Sequence, residues 1–324
     1  MTDVKNSAKS ALKASQSRAR GDYSRETLKL YFQAWSRHRT PRQLIAWLGF
    51  QRDLGYLIKH HQYTRLKALL QQNTAKRLTQ GLIGQRLRQA QNLCAEYEWH
   101  HMLQPDITAG VLQTSRQKRA IHSVRTQQLQ WQKEFLTYLS QQTEHGIAVV
   151  GNSGALIGQQ AGPAIDASGA VIRFNQYRGD ANATLDLGLR LDAWVCAPGF
   201  KGKVPDVRWI ILSGPDMQFQ LQNWAPLLEA IERGTPVVTI PLVHWRELVS
   251  QLQAPPSAGL LTLTWLTSQS NLKPALSVFG FGFGHRPDEN VAYHLADAKH
   301  PPTPRHNWAG EARLLERNGW STAP

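Results

Sequence analysis

The segment Ile147-Ala-Val-Val-Gly-Asn-Ser-Gly154 decides the fold of this chain. Four apolar residues that stop at a glycine are typical of a short buried strand, and the next four residues form a turn with two glycines and two small polar side chains. Glycine permits close approach of a ligand, and the amides of such a turn favour phosphate. The turn is not a nucleophile elbow, because Ala155 stands where that motif has glycine, and it is not a Walker loop, because no lysine follows. By itself, the segment is compatible with either a phosphate-binding turn or a purely structural one.

Short apolar runs recur after this segment, with helical patterns between them. Strands are predicted at residues 147–150, 170–173, 208–212, 236–240 and 276–280, and helices at 222–233 and 244–252. Strands that alternate with helices predict a mostly parallel sheet that is covered on both faces. Ligands of such sheets bind beyond the carboxyl ends of the strands, which is where the glycine turn lies.

The chain before this segment has a different character. Residues 1–145 hold 23 Lys and Arg against 9 Asp and Glu, so the net charge of +14 lies entirely in this part. Residues 1–23 are predicted to be a flexible basic tail and residues 24–145 a basic helical region, followed by a catalytic domain over 146–324. Such a basic region can face nucleic acid, an anionic membrane or an acidic polymer, or it can simply be a solvated helical surface.

Helix signals support the helical reading of residues 24–145. Ser24 and Thr40 stand at predicted N-cap positions, and Pro41 is at the first position of its helix. Further helices are expected within 62–100 and over about 114–142.

The cysteines and the N-terminus indicate the compartment. Cys94 and Cys196 form no C-x-x-C pair, and two isolated cysteines fit a reducing compartment. The first residues are basic without an apolar core, unlike a secretory signal, and no run approaches the ~18–20 apolar residues that a membrane span needs. We expect a cytoplasmic protein, with peripheral contact at the inner face of the membrane as an alternative; an organelle-targeting peptide stays open.

Further segments extend the glycine turn into a family pattern. Gly162-Pro-Ala-Ile-Asp166 is followed by Val171-Ile-Arg173-Phe-Asn175 and by Asp186-Leu-Gly188. Together with the turn, these segments resemble the large sialyl motif of the sialyltransferases, glycosyltransferase family 29. Pro256-Ser-Ala-Gly259 and Val278-Phe-Gly-Phe-Gly282 resemble the small sialyl motif, with one departure at Ala258, where the family usually has a hydroxyl residue.

Histidines complete the resemblance. His306 and Glu311 are five residues apart, as in the family's H-x-x-x-x-E motif. His294 with Asp297 corresponds to the short H-x-x-[DE] motif, although His300 competes for that role. No D-x-D pair is present. The histidines are too widely spaced for a compact zinc site, and no cysteine lies among them to serve as a further ligand. We therefore expect no metal and no other cofactor.

The resemblance covers about residues 146–317 and implies a Rossmann-like, GT-A-variant α/β sheet that is covered by helices and preceded by the basic all-α region. It implies inverting transfer of sialic acid from CMP-sialic acid to a glycan hydroxyl, with His306 as general base and His294 beside the phosphate. The residues expected to bind the donor are Gly151, Asn152, Ser153, Gly154, Asn175, Ser257 and Gly259. The cysteine pair of Golgi members is absent, which suggests a bacterial-type member.

Two other functions stay open. Kdo also carries a carboxylate at its anomeric carbon, so a CMP-Kdo-dependent transferase of bacterial surface glycan is the first alternative. The second is a non-catalytic scaffold whose basic helices bind membrane or nucleic acid. For the helical region we favour an anionic membrane surface or an acidic glycan acceptor over nucleic acid, because its Lys and Arg lie among Trp, Tyr and Leu.

Overall fold

The computed structural model describes residues 2–74, 81–101, 115–175, 177, 184–196, 200, 202–214, 226–281 and 305–320. Six strands form one sheet: β1 (Ile147–Val150), β2 (Ala170–Phe174), β3 (Ala193–Cys196), β4 (Trp209–Leu212), β5 (Val237–Thr239) and β6 (Leu276–Phe279). The spatial order is β5-β4-β3-β2-β1-β6, and every neighbouring pair is parallel. The predicted α/β class with a parallel sheet is confirmed.

The sheet is buried on both faces because helices cover each of them. They are α6 (Ser115–Gln141), α7 (Gly162–Ala167), α8 (Thr184–Leu187), α9 (Leu228–Glu232), α10 (Leu242–Leu252), α11 (Ala258–Thr267) and α12 (Trp308–Arg317). Ile147 and Val149 of β1 belong to a core cluster with residues of α6, α10 and α11, whereas Ala148 and Val150 belong to another cluster with Ile165 of α7. This burial on two faces explains why β1 is apolar at every position rather than at alternate positions.

The all-α N-terminal region is also confirmed. It consists of α1 (Thr2–Ala19), α2 (Arg25–Arg37), α3 (Pro41–Asp53), α4 (His60–Thr74) and α5 (Gly81–His100). Ser24 and Thr40 are N-caps, since their side chains accept hydrogen bonds from the amides of Thr27 and Gln43. Within the described residues, no helix is both long and apolar enough to cross a bilayer.

The prediction of a flexible tail over residues 1–23 is wrong, because α1 occupies most of that segment and packs against α2. Its buried face consists of small residues. Ser7 donates from Oγ to the carbonyl of Ala34 at 2.8 Å, and Ala14 is completely buried. Small side chains let two helices approach closely without an apolar stripe, so the hydrophobic pattern that signals an amphipathic helix was missing from the sequence.

Helix α6 protects the β5 edge of the sheet. Gln128 donates from Nε2 to the carbonyl of Val237 at 2.9 Å and accepts the amide of Thr239 at 2.6 Å, while Gln132 donates to the carbonyl of Thr239 at 2.7 Å. Amide side chains thus satisfy the backbone groups that an edge strand leaves open. The domain boundary at residue 145 stays a prediction; helices α1–α3 and α6 contribute to the same core cluster as the sheet.

Candidate active site

The candidate site lies where the strand order reverses. The chain runs from β1 outward to β5 and then crosses to β6 on the other side of β1, so the carboxyl ends of β1 and β6 form a topological switch point. Open parallel sheets bind ligands at this position. The turn of Gly151, Asn152, Ser153 and Gly154 follows β1 directly and therefore lies at the switch point.

Hydrogen bonds hold this turn between its two neighbouring strands. Gly151 and Ser153 donate from their amides to the carbonyls of Phe279 and Gly280, at 2.7 and 3.0 Å. Asn152 donates from Nδ2 to the carbonyl of Phe174 at 2.8 Å. A Cβ at position 151 would lie 2.3 Å from the carbonyl oxygen of Gly280, so the close approach of these chains requires glycine there.

Phe281 joins the turn to the first residues of α11. A Cβ at Gly259 would lie 2.5 Å from the Phe281 ring, and a Cβ at Gly151 would lie 3.1 Å from the same ring. The structure thus brings the glycine turn and the Pro256–Gly259 segment together, although 108 positions separate Gly151 from Gly259.

Asn175 follows β2 in the left-handed region, with φ of 44°. Asparagine tolerates this conformation better than most residues. Its amide donates to the carbonyl of Val195 at 2.9 Å, and its carbonyl accepts Nε1 of Trp194 at 2.8 Å. The backbone of Asn175 is therefore fixed at the carboxyl end of β2, next to the glycine turn.

Arg173, a residue of the large motif, has a structural role. The guanidinium is buried and donates to the carbonyls of Leu187 and Arg190, at 2.7 and 2.8 Å. Asp166 accepts the amides of Leu189 and Arg190. These two residues hold the segment that leads from α8 to β3.

His306 is oriented by a backbone carbonyl. Its Nδ1 lies 2.8 Å from the oxygen of Pro255. Because a carbonyl only accepts, Nδ1 carries the proton and Nε2 keeps its lone pair in the neutral ring. Burial lowers the pKa of His306, Arg305 lowers it further, and the hydrogen bond to Pro255 acts in the opposite direction. The ring is therefore neutral at pH 7 and able to take a proton at Nε2.

Glu311 connects the helix that follows His306 to the start of α11. Its side chain is fully buried and accepts the amide of Ser257 on Oε1 at 2.8 Å and the hydroxyl of Ser257 on Oε2 at 2.6 Å. Burial raises the pKa of Glu311 to about 7, although the hydrogen bonds from Ser257 oppose this shift. Oε1 lies 4.0 Å from Nδ1 of His306, beyond hydrogen-bonding distance.

Ser257 therefore acts as a cap in this structure. It is the N-cap of α11, and its Oγ accepts the amide of Leu260 at 3.2 Å while it donates to Glu311. The predicted contacts of Ser257 and Gly259 with the donor stay predictions. His294, Asp297 and His300 lie outside the described residues, as does Gly282. Where side chains are described, no group of three His, Cys, Asp or Glu is placed to hold a metal ion.

Two contributors to this site were missed in the sequence. Pro255 orients His306 through its carbonyl, and a backbone acceptor carries no residue-type signal. Asn307 is the N-cap of α12, where Oδ1 accepts the amide of Gly310 at 2.9 Å and Nδ2 donates to the carbonyl of Leu252 at 3.0 Å. Asparagine before an amphipathic helix is a readable N-cap signal.

Comparison with known proteins gives one family match. Residues 85–204 match the family model described as glycosyltransferase family 29 (sialyltransferase). A crystal structure of a mammalian sialyltransferase in complex with Gal-beta-1-3GalNAc-ortho-nitrophenol is 16% identical to the chain with a TM-score of 0.39, covering 67% of this chain and 89% of that chain. A second crystal structure of a mammalian sialyltransferase is 17% identical with a TM-score of 0.41, covering 67% of this chain and 88% of that chain. No curated protein matches.

Proposed function

We propose that this chain, whose residues 85–204 match the glycosyltransferase family 29 model, is a sialyltransferase that transfers sialic acid from CMP-sialic acid to a glycan hydroxyl with inversion. The observation that carries the proposal is the orientation of His306. Its Nδ1 donates to Pro255, which leaves Nε2 as a base, and burial keeps the ring neutral at pH 7.

The proposed reaction is a single displacement. The oxygen of an acceptor hydroxyl attacks the anomeric carbon of the donor sugar, and Nε2 of His306 takes the hydroxyl proton. The bond between the anomeric carbon and the phosphate oxygen breaks, and its electron pair leaves with CMP. A hydroxyl is a poor nucleophile until its proton is taken, which is why a positioned neutral histidine accelerates this step.

The donor is proposed to lie between the glycine turn and the N-terminus of α11. Gly151, Asn152, Ser153, Gly154 and Asn175 would surround its phosphate at the switch point, and His294 is proposed to act on the same phosphate.

The N-terminus of α11 would hold the nucleotide or the sugar carboxylate. Ser257 already accepts the amide of Leu260 on Oγ and the amide of Leu261 on its carbonyl. The amides of Ala258 and Gly259 have no partner within the helix, and a helix N-terminus favours an anion. Because both the amide and the hydroxyl of Ser257 donate to Glu311, the proposed donor contact at this end of α11 would use the backbone amides of Ala258 and Gly259, with Ser257 holding the turn in place.

The identity of the donor is tested by CMP release from the purified chain, with CMP-sialic acid and CMP-Kdo supplied separately. We expect release from CMP-sialic acid to exceed release from CMP-Kdo by at least tenfold, and CMP to bind without any added metal. Faster release from CMP-Kdo would mean that Kdo is the transferred sugar. Either sugar is compatible with the site, because both present a carboxylate at the anomeric carbon. Failure to bind CMP would reject the enzyme assignment in favour of a scaffold.

We further propose that the helical region contacts an anionic membrane surface. Phe32, Trp35 and Trp47 form an aromatic cluster, with ring centroids 5.0 Å apart for Phe32 and Trp47 and 4.9 Å for Trp35 and Trp47. The guanidinium groups of Arg39 and Arg65 lie 5.6 and 5.3 Å from the Trp35 ring. Since Phe32 is 44% exposed, the cluster presents aromatic surface beside positive charge, as interfacial segments do.

Flotation with vesicles tests the membrane contact. The full chain is expected to float with vesicles that contain phosphatidylglycerol at low salt, and to stay in solution with pure phosphatidylcholine. Arg39→Gln should lower the vesicle binding constant about fivefold, since one basic residue near such a surface contributes about 1 kcal/mol. Phe32→Ser should also lower it, because it removes exposed aromatic surface. Leu129→Ser is the matched control, because Leu129 is an exposed apolar residue on α6. A chain that stays in solution with anionic vesicles at low salt would contradict the proposal.

A further inference from the structure

Hydrogen bonds attach the segment that carries His306 to residues 252–257, which we call the platform. The carbonyl of Leu252 accepts Nδ2 of Asn307 at 3.0 Å, and the carbonyl of Pro255 accepts Nδ1 of His306 at 2.8 Å. Ser257 donates from its amide to Glu311 at 2.8 Å. The position of the proposed base therefore depends on the position of the platform.

The platform continues α10, and the N-terminal helices hold α10 from its other side. Trp245 donates from Nε1 to the carbonyl of Asp53 at 2.9 Å, and Arg246 donates to the carbonyl of Gly55 at 3.1 Å. A Cβ at Gly55 would lie 2.8 Å from both of these side chains, so α10 fits closely against the end of α3.

Tyr23 reaches the platform itself. Its amide donates to the carbonyl of Gln253 at 2.9 Å, and its buried ring packs against Phe50 with centroids 5.4 Å apart. The guanidinium of Arg305, the residue before His306, lies 6.0 Å from the centre of the same ring. Tyr23 therefore contacts both the platform and the chain next to the base.

The platform needs support because part of its backbone is strained. Gln253 has φ of 51°, in the left-handed region that a glutamine adopts at a cost. Its carbonyl is the group that accepts the Tyr23 amide. Without that contact and the packing of the Tyr23 ring, the turn between α10 and Pro255 has other conformations available, and His306 would move with it.

We propose that the N-terminal helices position the catalytic base, with Tyr23 and Trp245 as positioning residues. The inference rests on the proposed role of His306. The helical region then affects the reaction, because α1–α3 contact the platform and the platform holds His306. A displacement on the order of 1 Å of a reacting group is enough to slow an enzyme about a hundredfold.

The test uses the full chain with Tyr23→Ala, and measures both turnover and the pKa of His306 by NMR. Tyr23→Ala is expected to lower kcat at least tenfold while the Kd of CMP changes less than threefold. The pKa of His306 should rise toward its ordinary value, because the ring becomes more exposed and burial is the main cause of its lowered pKa. The chain has 12 histidines, so the His306 signal is assigned by its disappearance in His306→Gln.

Two controls separate positioning from loss of stability. Tyr23→Phe keeps the ring and the backbone amide, and it should retain kcat and the pKa of His306. Leu93→Ala removes a buried side chain from the separate α3–α5 core; it should lower the Tm but leave kcat and the His306 pKa unchanged well below that temperature. If Tyr23→Ala does not fold, Trp245→Phe serves as the second variant with the same expected signs, because it removes the hydrogen bond to the carbonyl of Asp53 and part of the buried ring.

Wild-type values of both kcat and the His306 pKa in Tyr23→Ala, or in Trp245→Phe where it is used, would overturn the inference. An inactive wild-type chain would instead reject the proposed function. In that case, the NMR titration still tests the inference, because the pKa of His306 can be measured without a substrate.

Discussion

Replacement of His306 with glutamine is expected to lower the rate of the proposed sialyl transfer about 10²–10⁴-fold, the usual contribution of a general base. Glutamine is similar in size and can still donate an amide hydrogen to the carbonyl of Pro255, so the segment keeps its hydrogen bond. It cannot take the proton of the acceptor hydroxyl. The expected result is therefore a loss of kcat with nearly unchanged CMP binding, measured by CMP release and by calorimetry.

The pH profile gives a second readout of the same residue. Because the native environment lowers the pKa of His306, kcat/KM should be at its plateau at pH 7 and fall only when the pH drops below about 6.5, the ordinary value for histidine. His244→Gln is the matched control, since burial also lowers the pKa of His244, which lies in the first turn of α10 and not in the segment that carries His306. The base assignment is contradicted if His306→Gln retains more than about a tenth of the activity, or if His244→Gln loses as much.

The sequence predicted those parts of the fold that depend on local patterns. Five of the six strands were expected within one or two residues, because buried parallel strands are short apolar runs. Strand β3 was missed: its four residues include Trp194 and Cys196, and nothing nearby distinguishes them from a loop. Their burial comes from the pairing of β3 with β2 and β4, which is a tertiary effect.

The candidate site was predictable in its residues but not in its connections. The motifs pointed to Ser257, His306 and Glu311. They predicted that Ser257 contacts the donor, but they did not predict its two hydrogen bonds to Glu311. That pairing spans 54 positions and follows from how α11 and α12 pack. Likewise, charge and composition separated the helical region from the catalytic half, and they gave no sign of the hydrogen bond between the Tyr23 amide and the Gln253 carbonyl that joins the two.

Replacement of Glu311 with alanine is expected to lower the free energy of unfolding by about 3 kcal/mol, since it leaves the amide and hydroxyl of Ser257 without their buried acceptor and opens a cavity. Transfer activity should fall as well, because the N-cap of α11 and the segment carrying His306 lose their connection. Urea denaturation at several pH values measures the first effect, and CMP release measures the second. Glu311→Gln keeps the volume and one acceptor oxygen but does not titrate, so it isolates the contribution of the ionisable group.

The pH dependence of the stability lost in Glu311→Ala shows whether the Glu311 carboxyl is neutral or ionised in the native state. Burial raises the pKa of Glu311 from 4.5 to about 7, so between these values the native state holds a proton that the unfolded chain has released. Stability then falls as the pH rises through this window, and the cost of Glu311→Ala is larger at pH 5 than at pH 8. The lowered pKa of His306 acts in the opposite direction over an overlapping range, which is why the difference between wild type and Glu311→Gln is the informative quantity. A penalty that grows with pH would mean that Glu311 is ionised in the native state and that the desolvation of its carboxylate is outweighed by the two hydrogen bonds from Ser257.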